Sequence, residues 1–543
     1  MHEDNGANSL RNGLWSALRL HVPRLLTLME RDADSPFLGC FDRDFWHYKM
    51  RDFSSMILQQ GLLVLDCLKN AELPGNILSG HPLTGQWVRS GLRFWAGRQR
   101  RGGGFDEYYP YENGFPPAAF SLYAVALLLR GLDEEPEPDV LRAVQACADW
   151  LLDHPETKAL NQECAGLSGL ALAGRLPGIR IDAGRLEQRL QRFFAAQSDE
   201  GWFPEYGGPD LGYLAVTIDC LWDYYEATDD DRALQAMRRA AGYMAWMLAP
   251  GGRVPVMANS RNTDYLAPYG LTRLAATDAV AAAVVRAMLL RVAEPDHYLH
   301  ATDDRYASHY LFQSHFRCLP HLAAMTAPDV LPCEAGGEQF FVEAGQFVRH
   351  GQGRSLFFAG KKGGVTYVFG PEGLLDADYG WRAFLPGRKG RLAVTHWQSD
   401  AWEIGLLKEG GTTRILTAGP VTGRGYFVSS PLRHVALRVL SFCFGNRLIP
   451  LLKEKMIFRG GGTGLRLERE LRMDGQGGAA LEDALTGAGA ETLAWRTAPQ
   501  ASLRHVASAA RFCGEELLPE PRFESRLEPG SFLAWRGLKG FRH

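Results

Sequence analysis

Two polar segments set into small-residue helical sequence carry side chains suited to proton transfer: Asn161-Gln162-Glu163, and the run from Asp199 through Gly201-Trp202-Phe203-Pro204-Glu205 to Tyr213. Amides at a helix start can hold negative charge as it develops on a bound carboxylate. A tyrosine behind a Glu/Gly/Pro turn can move a proton if cations or donors favour its phenolate, because its ordinary pKa is about 10. In a uronic acid the C5 proton is acidified only by the adjacent carboxylate, so its removal needs both functions at once. On this reading Asn161 and Gln162 hold the carboxylate, Arg261 adds positive charge, Tyr213 moves the proton and Glu205 orients the sugar or the tyrosine.

Loops that mix flat aromatic faces with carboxylates, amides and guanidinium groups are expected to bind the rest of a sugar chain, since pyranose rings stack on aromatics and hydroxyls need polar partners. Four have this composition. They run from Phe41 to Lys49 with Trp46 and His47, from Gly104 to Asn113 with Glu107, Tyr108, Tyr109 and Glu112, from Gly201 to Tyr206 with Trp202, and from Ala258 to Tyr269 with Asn262 and Tyr265. Trp46, His47, Glu107, Tyr108, Tyr109, Glu112, Trp202, Asn262, Tyr265 and Tyr269 are the substrate-binding candidates.

The elements that must position these groups change character once. Up to about residue 325 apolar residues recur at helical spacing, as in Phe120 to Leu129, Val140 to Leu152, Cys164 to Leu172 and Leu214 to Tyr225. From about Gly336 short alternating runs such as Gln339 to Glu343, Ser355 to Ala359 and Val365 to Phe369 are divided by glycine-rich turns. This order predicts an α+β multidomain chain: an incomplete (α/α) toroid of helical hairpins over 1–325 and an antiparallel β-sandwich over 336–543, joined near Pro328 to Gly337. A ring of hairpins buries the apolar face of each helix and gathers loops at one rim, so the four loops are expected to converge on one cleft.

The 543 residues suffice for two substantial cores, and 46% apolar with 22% charged residues is ordinary globular composition. A net charge of −3 with scattered basic residues argues against nucleic acid as a partner. The cluster Arg98, Arg100 and Arg101 reads as a solvated loop. Nine dispersed cysteines without a CxxC read as free thiols, which, with an acidic N-terminus and a Leu14 to Leu28 run broken by Arg19, His21 and Arg24, suggests a cytoplasmic protein. No run is long enough for a membrane span.

The segment Asn161 to Gly174 resembles the heparinase II/III-like and alginate-lyase pattern in which Asn-His opens a helix of small residues ending in Ala-Gly. The segment Asp199 to Tyr213 is similar to that family's Asp-Gly-Ser-aromatic-x-Glu loop followed by a helical tyrosine. The resemblance implies a polysaccharide lyase with a toroid before a β-sandwich, an acidic polysaccharide as partner, no cofactor, Asn161 facing the substrate carboxylate and Tyr213 as the catalytic tyrosine. Two departures stand out. Gln162 replaces the family's histidine and cannot act as a base, and no Asn-His-x-Asp signature is present in the β half, where His396 is the nearest histidine and His350 another.

The expected activity is therefore β-elimination on a uronic-acid glycan. A C5-epimerase, a glycoside hydrolase using two of Glu107, Glu112 and Glu205, and a non-catalytic glycan-binding protein of exopolysaccharide synthesis are the alternatives. Asp229-Asp230-Asp231 reads as a helix cap, Gly460 to Gly464 as a β-turn, and His309 and His315 with Asp303 and Asp304 match no compact zinc spacing. The sequence carries no signal for oligomeric state.

Overall fold

The computed structural model describes residues 3–132, 134–386, 391–425, 430–453, 461–475, 477–499, 517 and 519–540. Its first half is a helical toroid built from hairpins. After α1 (Glu3–Leu18) and α2 (Gly61–Asn70) come α3 (Pro82–Gly97), α4 (Phe115–Arg130), α5 (Pro138–Asp153), α6 (Leu160–Ala173), α7 (Ala183–Ala195), α8 (Leu211–Thr228), α9 (Asp231–Met247), α10 (Tyr269–Leu274), α11 (Ala279–Leu289) and α12 (Phe312–Cys318).

Sequence decides which helices lie inside. Helices α4, α6 and α8 are apolar or small on nearly every face and are buried almost throughout. Helix α7 buries only Arg189, Leu190 and Phe193, so it belongs to the outer layer. Proline in the first turn starts α3, α4 and α5, and Asp230 caps α9 by accepting the Arg232 N–H at 3.0 Å, as the acidic triplet suggested.

Neighbouring inner helices run parallel. A Cβ on Gly166 would meet Phe115 and one on Gly169 would meet Tyr123, so α6 and α4 advance together. Cys164 Sγ donates to the Thr217 carbonyl at 3.6 Å and Ser168 Oγ to that of Cys220 at 2.8 Å, which sets α6 parallel to α8. Gly212 lies against Thr263 and Gly270 against Ile218, which carries the direction on to α10. All the N-terminal ends therefore open on one rim, and the loops before them form it.

The strand half begins at Gly337. Among the described residues, β1 (Gly337–Phe341), β2 (Gln346–Gly351), β3 (Arg354–Ala359), β4 (Val365–Gly370) and β5 (Gly373–Asp378) form one antiparallel sheet in sequence order. A second antiparallel sheet is built on the long pair Thr412–Gly425 and Gly461–Met473, with Ala479–Thr486, Ser531–Gly537 and Glu524–Glu528 on one side and Arg391–Val394 and Trp381–Phe384 on the other. The runs in β3 and β4 are continuously apolar because both faces of the first sheet are covered. Phe347, Leu356, Phe358 and Val368 pack on Ile415 and Leu471 of the second sheet, while Val348, Phe357, Tyr367 and Phe369 join the core of the toroid.

Several sequence expectations change here. A helix, α13 (Pro431–Phe444), interrupts the β half between the two long strands. Gly461 to Gly464 lie within a strand whose pairing slips between Gly462 and Arg466, where a turn was expected; Gly460 is outside the described residues. Of the arginine cluster only Arg101 is exposed in a turn, as expected: Arg98 sits 5.0 Å from the ring centres of Phe45 and Phe94, and Arg100 pairs with buried Asp106. The eight described cysteines are free thiols, Cys513 being outside that set. Among the described residues no helix is long and apolar enough to cross a membrane.

Candidate functional site

Asn161 is the second residue of α6. The chain reaches it through a single bridge between Ala159 and Glu205, and Glu205 Oε1 accepts the Asn161 N–H at 2.5 Å. Glu163, two residues later, is locked in a buried ion pair with Arg189 at 2.6 Å and also accepts the Glu156 N–H. With the backbone held from both sides, the Asn161 side chain is 1% exposed and neither its Nδ2 nor its Oδ1 has a partner among the described residues. Buried amides are normally paired, and an unpaired one is costly.

Tyr213 is fixed by Asp210, which caps α8. Asp210 accepts the N–H of Tyr213 at 3.2 Å, that of Arg261 at 3.0 Å and the Thr263 hydroxyl. Asn259 accepts the Leu211 N–H at 3.1 Å, so the loop before α10 is laced onto the start of α8. This lacing holds the Arg261 guanidinium 4.7 Å from the centre of the Tyr206 ring, and Gln162 Nε2 donates to the Tyr206 hydroxyl at 3.2 Å. Tyr206 has φ +52, the left-handed conformation the turn requires at that point. Because Cys164 meets Thr217 one turn deeper in each helix, Asn161 and Tyr213 stand level at the rim, where the positive ends of the helix dipoles favour an anion.

The Tyr213 ring meets Tyr265 edge-on at 6.3 Å and Tyr310 at 6.4 Å, and Tyr306 packs on both Tyr265 and Tyr310 at 6.1 Å. Burial in this aromatic box, followed by Tyr265, Tyr306 and Tyr310, pushes the Tyr213 pKa well above its ordinary value, and Arg261 offsets this only in part. The expectation that its surroundings favour phenolate is therefore corrected: in the free protein Tyr213 is a phenol, because burial outweighs one nearby cation.

Farther along the rim, Glu107 pairs with Arg305, whose guanidinium lies 4.5 Å from the ring centre of Tyr108. Tyr108 is 64% exposed and offers a ring face at the surface. Glu112 accepts the N–H groups of Glu107 at 3.0 Å and Tyr108 at 2.8 Å, and half-buried Tyr109 completes the turn. Burial and the Glu107 carboxylate push the Glu112 pKa upward. The turn that follows the Trp46 and His47 loop adjoins this one through Met56 N–H to the Asp106 carbonyl at 3.0 Å. Trp46 itself turns back, its indole donating to the Leu28 carbonyl at 2.8 Å.

Four other candidates are buried away from the rim surface. Trp202 is buried and donates to Glu200 at 2.9 Å, and Glu200 accepts the N–H groups of Glu343 and Ala344, so Trp202 belongs to the seam between toroid and first sheet. Tyr269 lies inside the ring, bonded to Asp223 at 3.0 Å and covered by Arg317 at 3.7 Å, where a sugar ring has no access. His396 is buried, and burial followed by Lys362 pushes its pKa down to about 3, which leaves it neutral. His350 bridges Ser355 and the Trp246 carbonyl across the same seam.

Sequence reasoning missed Tyr306 and Tyr310, although their helical spacing beside Arg305 was visible. Tyr306 precedes and Tyr310 lies within a turn of π-helix at Ala307–Leu311, a distortion frequent at functional sites. His309 in that turn stacks on Tyr310 at 3.5 Å, and its Nε2 has no partner among the described residues. Lys362 was missed as well. It reaches from the first sheet to the Asn259 carbonyl and to Asn262 Oδ1, and burial pushes its pKa down to about 7 despite Asp210. Among the described residues no cluster of His, Cys, Asp and Glu has the arrangement of a metal site.

No protein-family model and no curated protein matches the chain. Among solved structures it is similar to the Streptomyces coelicolor A3 chondroitin AC lyase in complex with chondroitin sulphate, at 12% identity and a TM-score of 0.51, covering 89% of this chain and 67% of that one. A heparinase III is similar over 90% of this chain and 70% of its own at 11% identity and a TM-score of 0.40. The heparan sulfate lyase HepC from Pedobacter heparinus is similar over 79% and 61% at 11% identity and a TM-score of 0.37. At such identity the likeness is one of fold, shared with the chondroitin AC lyase.

Proposed function

We propose that this protein is a polysaccharide lyase that cleaves a uronic-acid-containing glycan by β-elimination. The observation that carries the reading is the unpartnered, buried amide of Asn161 at a helix N-terminus, level with Tyr213. A uronate carboxylate bound there receives the Asn161 amide, with Gln162 and Arg261 on the adjoining side. As the C5–H bond breaks, charge delocalises into the carboxylate, and donors already in place hold it.

Tyr213 acts as its phenolate. It takes the C5 proton, the released electron pair forms the C4–C5 double bond, the C4–O4 bond breaks, and the leaving oxygen takes the proton from Tyr213, which returns to phenolate. Hydrolysis is less well supported, because Glu107, Glu112 and Glu205 are each committed to an arginine or to backbone N–H groups. Exposed Tyr108 offers a stacking face for a neighbouring sugar. Tyr265, by contrast, shapes the box around Tyr213.

The test is incubation with a panel of acidic polysaccharides, read as new ultraviolet absorbance from the conjugated unsaturated uronate. Absorbance that disappears in Tyr213→Phe supports the reading. Glycan binding by the wild type with no absorbance on any polyuronate would sink it in favour of a non-catalytic binder.

A further inference from the structure

Between α3 and the loop from Ser35 to Leu38 lies a pocket of about 440 Å³, inside the range of about 300 to 1,000 Å³ usual for small-molecule sites. The loop is fastened to the helix. Buried Gln59 donates to the Gly39 carbonyl at 2.7 Å and to the Gly91 carbonyl at 3.1 Å, and a Cβ on Gly39, at φ +93, would lie 2.5 Å from the Ser90 backbone. The two segments therefore meet backbone on backbone, and the pocket keeps its shape without a ligand.

Two polar side chains on its lining are left without partners. The Arg98 guanidinium lies 5.0 Å from the ring centres of Phe45 and Phe94 and 5.8 Å from that of Phe37, but it has no hydrogen bond or ion pair among the described residues. Burial lowers its pKa from the ordinary value, Cys40 acts against this and Arg100 with it, and no carboxylate takes part. Ser90 is 8% exposed, and its hydroxyl also has no partner among the described residues. Arg93 lines the same pocket but is paired with Glu137 at 2.7 Å, so Arg98 is the cation open to a ligand there.

A guanidinium packed on aromatic rings keeps its N–H edge for a planar anion, which it grips with two parallel hydrogen bonds. The rest of the lining describes what the anion is attached to. Ser90 and Ser35 offer hydroxyls, the latter accepting the Phe37 N–H at 3.2 Å and keeping its own proton to donate, while Phe94 and Leu38 offer apolar surface to C–H groups. We propose that this pocket is a second ligand site, which takes a small polyhydroxy carboxylic acid with its carboxylate on Arg98 and a hydroxyl on Ser90. Neither Asn161 nor Tyr213 lines it, and the proposal does not rest on the lyase reading.

The full chain carrying Asn161→Ala, so that a carboxylate held at that amide does not count, is titrated calorimetrically with glucuronate, glucose and inorganic sulfate. Glucuronate should bind saturably with a Kd of about 1 mM or below, and glucose and sulfate at least about tenfold more weakly. Arg98→Lys, which keeps the charge and loses the planar fork, should weaken glucuronate about tenfold. Ser90→Ala should weaken it about fivefold with the thermal melt unchanged, because that hydroxyl has no partner in the fold to lose. The proposal is overturned if glucuronate does not bind saturably, or if either Arg98→Lys or a normally folded Ser90→Ala binds it as the parent does. Sulfate binding as tightly as glucuronate would also overturn it, since the pocket would then hold a bare anion.

Discussion

At the scale of single residues, Asn161 and Tyr213 invite opposite readouts. The Asn161 amide is buried with no partner among the described residues, so it contributes little to the fold and should contribute much to a bound anion. Asn161→Ala should lower turnover by about 10² to 10³, as loss of a positioned donor does, while the melting temperature stays level or rises. A coupled loss of stability and activity would show the amide to be structural. Tyr213→Phe keeps the ring packing and should cost about 10² to 10⁴ in rate. Because burial holds the Tyr213 pKa above its ordinary value, the phenolate is the minor form at neutral pH and its fraction grows with pH. The lyase rate should therefore climb about tenfold per pH unit from neutrality upward, and a flat profile over that range would exclude the phenolate mechanism.

At the scale of elements, the parallel inner helices depend on close approach at glycine. A Cβ on Gly270 would lie 2.4 Å from the Ile218 carbonyl oxygen, a backbone atom that cannot move aside alone. Gly270→Ala should destabilise by about 1 to 3 kcal/mol, as overpacking does. Gly242, on the outer helix α9, has no atom within 4 Å of the corresponding position, so Gly242→Ala should stabilise by about 0.5 to 1 kcal/mol through helix propensity. Denaturant melts of the pair test whether packing at the α8–α10 contact sets the register. Equal effects of the two substitutions would refute that.

At the scale of the whole molecule, the toroid and the first sheet meet across a polar seam in which Lys362 is fully buried. Its ordinary pKa of 10.5 falls to about 7 in the fold. Unfolded chains therefore hold a proton that folded chains have released between those values, and stability must rise with pH across that window, by at most about 1.4 kcal/mol per unit from this group. Lys362→Met should remove that contribution, which denaturant melts of both proteins from neutral to alkaline pH would detect. Identical pH slopes would show that Lys362 is not buried in solution. Arg469, deep between the two sheets, carries the opposite arrangement: it pairs with Asp378 and Asp483 at 2.6 Å, and although burial raises the Asp378 pKa, Arg469 and Arg536 hold it below its ordinary value.

The sequence by itself determined what local periodicity can carry: helical spacing before the connector, strand spacing after it, the caps and prolines that start helices, and the polar character of the loops preceding the inner helices. It also marked Asn161 and Tyr213, because an amide and a tyrosine near helix starts are visible as residue types. Only the tertiary structure decided that these two stand level, since that follows from the Cys164–Thr217 and Ser168–Cys220 contacts between α6 and α8. It alone paired Glu107 with Arg305, sent Lys362 into the loop before α10 and drew Trp202 and Tyr269 away from the rim. It also raised the Tyr213 pKa, an effect of burial by Tyr265, Tyr306 and Tyr310 from distant segments. Spacing along a chain reports the face on which a residue lies; the partner across from it depends on packing between segments far apart in sequence.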